Sequence, residues 1–374
     1  MKDKKHNYTN KAYIEKMIAD CNITEMRNIS NYYYRTSGIY RTACNYLATL
    51  YRYDWYVVPE IYDDKLEEEK VVKEFVRILN YLDNSYIKKT CGDIALKVVQ
   101  NGLYYGYVVP DSKEGIVIQE LPLKYCRSRY NVGNKPAVEF NMKFFDEQFP
   151  DIKYRLKVLQ LFPPEFSEGY ILYKQGKLEA DYSTEMYGGW YLLDPKYSVK
   201  FSFNNGDTPW FINAIPAIID LDAAQEIDRR KQMQRLLKIL IQKLPLDKNG
   251  DLIFDVDEAA DIHNNMVQML RNTFGVDVVT TFADVEDIDL SDTTASTATD
   301  DLERVERTAY NNMGLASNLF NADGNLALSS SVLVDESSIR SLLFQFGVFF
   351  DSMTQKETSN KRKYNFRLYM LETT

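Results

Sequence analysis

Apolar positions recur with a helical period in some stretches of this chain and alternate in others, and the changes of period divide it into parts. Residues 1 to 30 are polar with scattered lysines and are expected to form an arm, mobile or docked on a partner. Asn31 to Tyr53 reads as one aromatic-rich helix leading into DWYVVPEIY, a β-branched and aromatic strand. From Glu67 to Leu82 the apolar set Val71, Val72, Phe75, Ile78, Leu79 and Leu82 predicts an amphipathic helix. A second helix is expected from Tyr86 to Gln100, stopped at Asn101-Gly102.

Alternation then takes over. GLYYGYVVPD and EGIVIQELP predict a hairpin around DSKEG, and CRSRYNV, AVEFNMKFF, GYILYKQGKLEADY and GGWYLLDP continue the strand pattern. Phe140 to Asp151 and Tyr154 to Glu165 fit helix and strand equally well, and SVKFSFNNGDTPWF closes the region.

The longest helical stretch follows, Ile215 to Lys243, with Pro216 at its start and Pro245 just beyond it. Acids fill its first half (Asp220, Asp222, Glu226, Asp228) and bases its second (Arg229, Arg230, Lys231, Arg235, Lys238, Lys243), complementing the helix dipole. After Pro245 come a short turn and strand, a helix ending at Gly275, and one or two strands in VDVVTTFADVEDIDL. Asp277 to Glu303 contains no Lys or Arg, and its Val278, Val279, Phe282 and Ile288 argue against disorder. A helix from about Ser296 to Leu315, a loop rich in Gly, Asn and Ser, a helix from about Leu333, and a strand in YNFRLYMLE complete the chain.

Composition narrows the chemistry. The 374 residues are 45% hydrophobic and 26% charged, ordinary for a folded protein and enough for two or three domains. Only two histidines are present, His6 and His263, too few for a His-based metal site or a Ser-His-Asp hydrolase. The four cysteines show no CxxC spacing and are expected to be reduced thiols, as in a protein made in the cytoplasm. No signal peptide and no membrane-spanning apolar run is found. No nucleotide-binding, hydrolase, kinase or calcium-loop motif is present either, which favours a structural role over an enzyme and implies no cofactor. The net charge of −9 opposes tight, sequence-independent DNA binding, yet suits a protein that lets DNA pass.

The order of parts is the most informative feature: a mixed α/β region, a long helix, a small α/β insertion, a second helix, a polar loop, a third helix and a returning strand. It resembles the portal proteins of tailed bacteriophages. The local likenesses are IPAIIDLDAAQEIDRRKQMQRLLKILIQKLP, GLYYGYVV and NNMGLASNLFNADGNLALSSSVLVDESSIRSLLFQFG. The resemblance implies an α+β, portal-like fold. Its parts would be an arm (1–30), an α/β wing (31–214), a stem helix (215–243), a clip (244–292), a second stem helix (293–316), a tunnel loop (317–331), and a long helix with a returning wing strand (332–374). Portal chains continue past such a strand into a helical crown; here the crown is expected to be short or absent.

The same resemblance implies a function. The chain would form a closed ring of about twelve copies at one capsid vertex, a conduit for packaging and ejecting double-stranded DNA. Its partners would be the terminase large subunit, the major capsid and scaffold proteins and a head-tail adaptor, with no membrane, and its location the virion. The tunnel loop would present Asn321, Asp323, Gly324, Asn325, Ser329, Ser330 and Ser331 to DNA. Asp222, Glu226, Arg229, Arg230, Arg235 and Lys238 would be the stem charges. Leu252, Phe254, Asp284, Glu286, Asp287 and Asp289 would serve clip docking and assembly. Two alternatives stay open: another virion structural or connector protein, and a nucleic-acid-processing enzyme using Asp284, Glu286, Asp287 and Asp289 with magnesium.

Overall fold

The strand expected near the end of the chain closes onto the one expected near its start. In the computed structural model, β1 (Trp55–Ile61) and β12 (Tyr364–Met370) form an antiparallel ribbon with Trp55 opposite Met370 and Ile61 opposite Tyr364. The structure describes residues 7–62, 68–109, 115–178, 188–203, 206–236, 239–243, 253, 255–274, 277–281, 295–315, 327–359, 361 and 363–372. They divide into two units, the first Met1–Pro216 with Asn312–Thr374, the second Ala217–Asn311. The second is thus an insertion, in sequence, into the first. The fold is mixed helix and strand with small sheets.

Pro59 is tolerated in β1 because of register. The Tyr62 N–H bonds Lys363 O at 2.8 Å, so even-numbered residues face β12 and the donor that Pro59 lacks would point outward. On β12 the expected alternation holds: Tyr364, Phe366 and Leu368 are buried. Against Phe366 packs the amphipathic helix α4 (Glu68–Asn84), with the Phe75 ring 5.7 Å away.

The amino-terminal segment expected as an arm is instead built into this unit. α1 (Lys11–Ala19) and α2 (Ile23–Thr36) are capped by Asn10 and Asn22, and they bury Ile14, Met26 and Ile29. The single helix expected over Asn31 to Tyr53 breaks at Ser37, whose hydroxyl caps α3 (Gly38–Ala48). Arg27 donates to Asn101 O at 2.8 Å and Ser30 to Gln100 O at 2.6 Å, tying α2 to the end of α5 (Ile87–Asn101). That helix stops as expected at Gly102, which is left-handed at φ 85°.

β2 (Leu103–Val108) pairs antiparallel with β3 (Ile118–Glu120) and β9 (Ser198–Ser202), the expected hairpin with a third strand. Short strands β4 (Cys126–Arg127), β5 (Asn131–Val132), β6 (Lys135–Pro136), β7 (Glu139–Asn141) and β8 (Trp190–Leu192) follow the predicted pattern. The ambiguous stretches resolve as α6 (Lys143–Gln148) and α7 (Ile152–Leu161). GYILYK, expected in a strand, lies in α8 (Pro164–Lys174). Pro164 at the first turn presets the helix, and Phe166, Gly169 and Tyr170 bury at helical spacing. The aromatics gather here: Phe140, Phe145, Phe166 and Tyr107 share one core, with Phe140 and Phe166 edge-to-face at 5.3 Å.

The second unit begins along α9 (Ile215–Leu236), which ends before the expected Lys243. Ile239–Lys243 is a strand, β10, paired in parallel with β11 (Asp277–Thr281) across the crossover helix α10 (Val256–Phe274). Ile239 and Ile241 favour strand, and Pro245 disfavours helix at the residue before it, which explains the early stop. α10 opens at Val256, with Asp257 and Glu258 in its first turn. α11 (Ala295–Met313) matches the helix expected from about Ser296 to Leu315, and α12 (Ala327–Glu357) is the long third one.

Candidate functional site

Of the residues expected to line a DNA path, Asn321, Asp323, Gly324 and Asn325 lie outside the described residues. Ser329, Ser330 and Ser331 belong not to a loop but to the opening turns of α12, which starts at Ala327. Ser is favoured near helix starts, and after Gly324 no Gly or Pro interrupts the chain until Gly347. Leu252, Phe254, Asp284, Glu286, Asp287, Asp289 and Lys238 are outside the described residues as well.

The stem charges that are described lie on α9. Asp222, Glu226, Arg229 and Arg230 are exposed there, and Arg235 occupies its last turn. Glu226 and Arg230 pair at 2.9 Å with side chains 51% and 72% exposed, a contact within one helix that is worth a few tenths of a kcal/mol. That pair forms within one helix and does not depend on a neighbouring copy.

The first unit carries a different concave surface that sequence reasoning did not single out. A groove of 1120 Å³ runs between β9, the β5–β6 hairpin and α12. Arg129, Lys135, Lys196, Lys200 and Arg340 line it, with no Asp or Glu. Three of these cations already have carboxylate partners: Lys200 bonds Asp207 at 2.7 Å, Arg129 bonds Glu139 at 3.1 Å and Arg340 bonds Glu372 at 2.9 Å. Along the rim stand Phe344 and Val348 of α12, 71% and 54% exposed. A smaller groove of 390 Å³ flanks the same two residues on the other side, toward Arg367 and Tyr369 of β12.

α12 is held in this position by polar clamps at its carboxyl half. Asp351 accepts from Arg367 Nε at 3.0 Å and from the Leu368 N–H at 2.9 Å, which fixes the helix on the open edge of β12. Lys356 lies 3.8 Å from the centre of the Tyr197 ring. Near the helix end, Glu74 of α4 accepts from Arg77 at 2.8 Å and from the Ser359 hydroxyl at 2.6 Å. The Arg77 hydrogen bond, helped by Ser359, pulls the Glu74 carboxyl down to about 2. Toward the amino half, Tyr46 donates to Asp335 at 3.0 Å, and burial raises the Asp335 carboxyl. These groups all bond protein partners and read as joints rather than as an acid-base pair.

Among the described residues no helix is long and apolar enough to cross a membrane. Comparison with known proteins finds no family model that matches this chain and no curated protein that resembles it.

Proposed function

We propose that this chain is the repeating subunit of a portal-type ring, placed at one capsid vertex, through which double-stranded DNA is packaged and ejected. The observation that carries the reading is the interrupted first unit: the chain leaves it after Pro216, forms a separate unit, and returns at Asn312 to close β12 onto β1. That order, with long helices α9 and α11 bracketing a small βαβ element, is the order the portal resemblance implies. In this reading α9 and α11 are stem helices, β10–α10–β11 is the clip, beginning at Ile239 rather than at residue 244, and α12 with β12 returns to the wing.

Function follows from charge and symmetry. A conduit must not hold what passes through it, and a chain of net charge −9 carries more carboxylates than cations, which weakens its hold on phosphates by counterion release. The Lys- and Arg-free run from Asp277 to Glu303 extends that logic to the clip and the start of the second stem helix. The same run offers basic partners, such as a packaging motor and later an adaptor, an acidic surface to dock on.

The test is made on particles of the virus encoding the chain. Gold-labelled antibody should decorate one vertex per particle, and particles assembled without the chain should hold no DNA. Decoration over the whole shell, or normal DNA filling without the chain, would make it a different structural component.

A further inference from the structure

Two helices of the first unit show solvent the same spacing of charge and apolar side chains. On α4 the series is Glu68, Val72 and Val76, the valines 52% and 49% exposed. On α12 it is Arg340, Phe344 and Val348, the apolar pair 71% and 54% exposed. Residues four apart stack on one helix face, so each series is a continuous ridge.

The ridges stand on different elements flanking the β1–β12 ribbon, α4 on one face and α12 along the open edge of β12. α4 covers the side to which Phe366 points, with Phe75 against it. Arg367 and Tyr369, next along the strand in each direction, point to the other side, where they share a groove with Phe344 and Val348. Within one copy both ridges stay uncovered. Their end charges are complementary: Arg340, whose partner is Glu372, stands at the head of the α12 ridge, and Glu68 at the head of the α4 ridge, where the neighbouring Glu69 is already paired with Lys73 at 2.8 Å.

We propose that α4 of one copy docks along α12 of the next, with Val72 against Phe344, Val76 against Val348 and Glu68 facing Arg340. Because the two surfaces differ, the contact is head-to-tail and propagates from copy to copy until the rotation closes a ring. Arg340 is free to change partner at little cost, since its bond to Glu372 at 3.0 Å is a surface contact with both side chains more than half exposed. This inference rests on the ring reading above and names the surfaces that would hold the ring.

Two full-length variants test it. Val72→Glu/Val76→Glu blocks the α4 ridge, and Phe344→Glu/Val348→Glu blocks the α12 ridge. Each should remain a folded monomer by circular dichroism, with the concentration needed for assembly raised about 100-fold or more. Mixed in equal amounts, they should form a one-to-one dimer and stop, because only one intact ridge of each kind remains. A gentler pair, Val72→Cys/Phe344→Cys, in a background with the exposed Cys21 changed to Ser, should give disulfides between copies on oxidation; Cys44, Cys91 and Cys126 are buried. Rings of the two-Cys variant that give no such disulfide on oxidation, or rings that form equally well from both Glu variants, would overturn the docking and leave the ring reading standing. A wild-type chain that stays monomeric at high concentration would overturn the ring reading, and the docking with it.

Discussion

Removing the Asp351 carboxylate should loosen the first unit by a calculable amount. Leu368 is 2% exposed and its N–H points away from β1, so Asp351, at 2.9 Å, is the acceptor that satisfies it. In Asp351→Ala that buried donor is orphaned, at a cost of about 1–3 kcal/mol. The Arg367 ion pair is lost too, but Arg367 is 36% exposed, so solvent screening limits its share to about 0.5–1 kcal/mol. The sum is roughly 1.5–4 kcal/mol. Asp351→Asn keeps a carbonyl oxygen for the N–H and loses only the charge, so it should cost about 1 kcal/mol. The assay is urea unfolding followed by tryptophan fluorescence. Trp55, Trp190 and Trp210, the only tryptophans, all lie in the first unit, so the signal reports that unit alone. With a slope of about 2–3 kcal/mol per molar urea, Asp351→Ala should lower the midpoint by about 1 M. An Asn variant as damaging as Ala, or an Ala variant losing less than about 0.5 kcal/mol, would refute the reasoning by showing that packing, not the hydrogen bond, holds α12 on the strand edge.

Glu74 sets an acid limit: its carboxyl, ordinarily near 4.5, is held at about 2. The stability it contributes is fully present above about 4.5 and lost as pH falls toward 2, so Glu74→Gln should flatten the decline of the urea midpoint over that window. Gly102→Ala should cost more than about 2 kcal/mol in thermal unfolding, because φ is 85° and an added Cβ would lie 2.3 Å from the Asp207 carbonyl oxygen. Phe166→Ala should cost about 3–5 kcal/mol in the same assay, since Phe166 is fully buried. Phe344→Ala, 71% exposed, should change monomer stability by under about 0.5 kcal/mol while weakening assembly. Deleting residues 320–326 should leave rings intact and impair DNA retention in particles; failure to form rings would make the segment an assembly element.

Elements with a strong period or an explicit stop signal were legible before any coordinates. Tyr364, Phe366 and Leu368 alternate into the core as their spacing predicts, and Gly102 ends α5 in the left-handed conformation that Asn-Gly announces. Misreadings fall where local signals compete. In GYILYK the alternation mimics a strand, but Pro164 and the burial of Phe166 and Tyr170 enforce a helix. At Ile239–Lys243 good helix formers precede a β-branched pair whose strand partner lies at Asp277–Thr281, beyond the reach of local reading. The polar amino terminus hid its helices because Ile14, Met26 and Ile29 are sparse, and only tertiary contact reveals them as core. On α9 the exposure of Asp222, Glu226, Arg229 and Arg230 follows from their charge. The ridge at Phe344 and Val348 could not be read in this way, since a helix as apolar as LLFQFGVFF gives no sign of which side chains the rest of the chain leaves uncovered.

The central claim is that copies of this chain close into a hollow ring. Native mass spectrometry of the purified protein, paired with negative-stain images, tests it directly. One dominant closed assembly of about twelve copies, with a central channel wide enough for a DNA duplex, is expected. A monomer or compact dimer persisting at high concentration, with no annular particles, would contradict it.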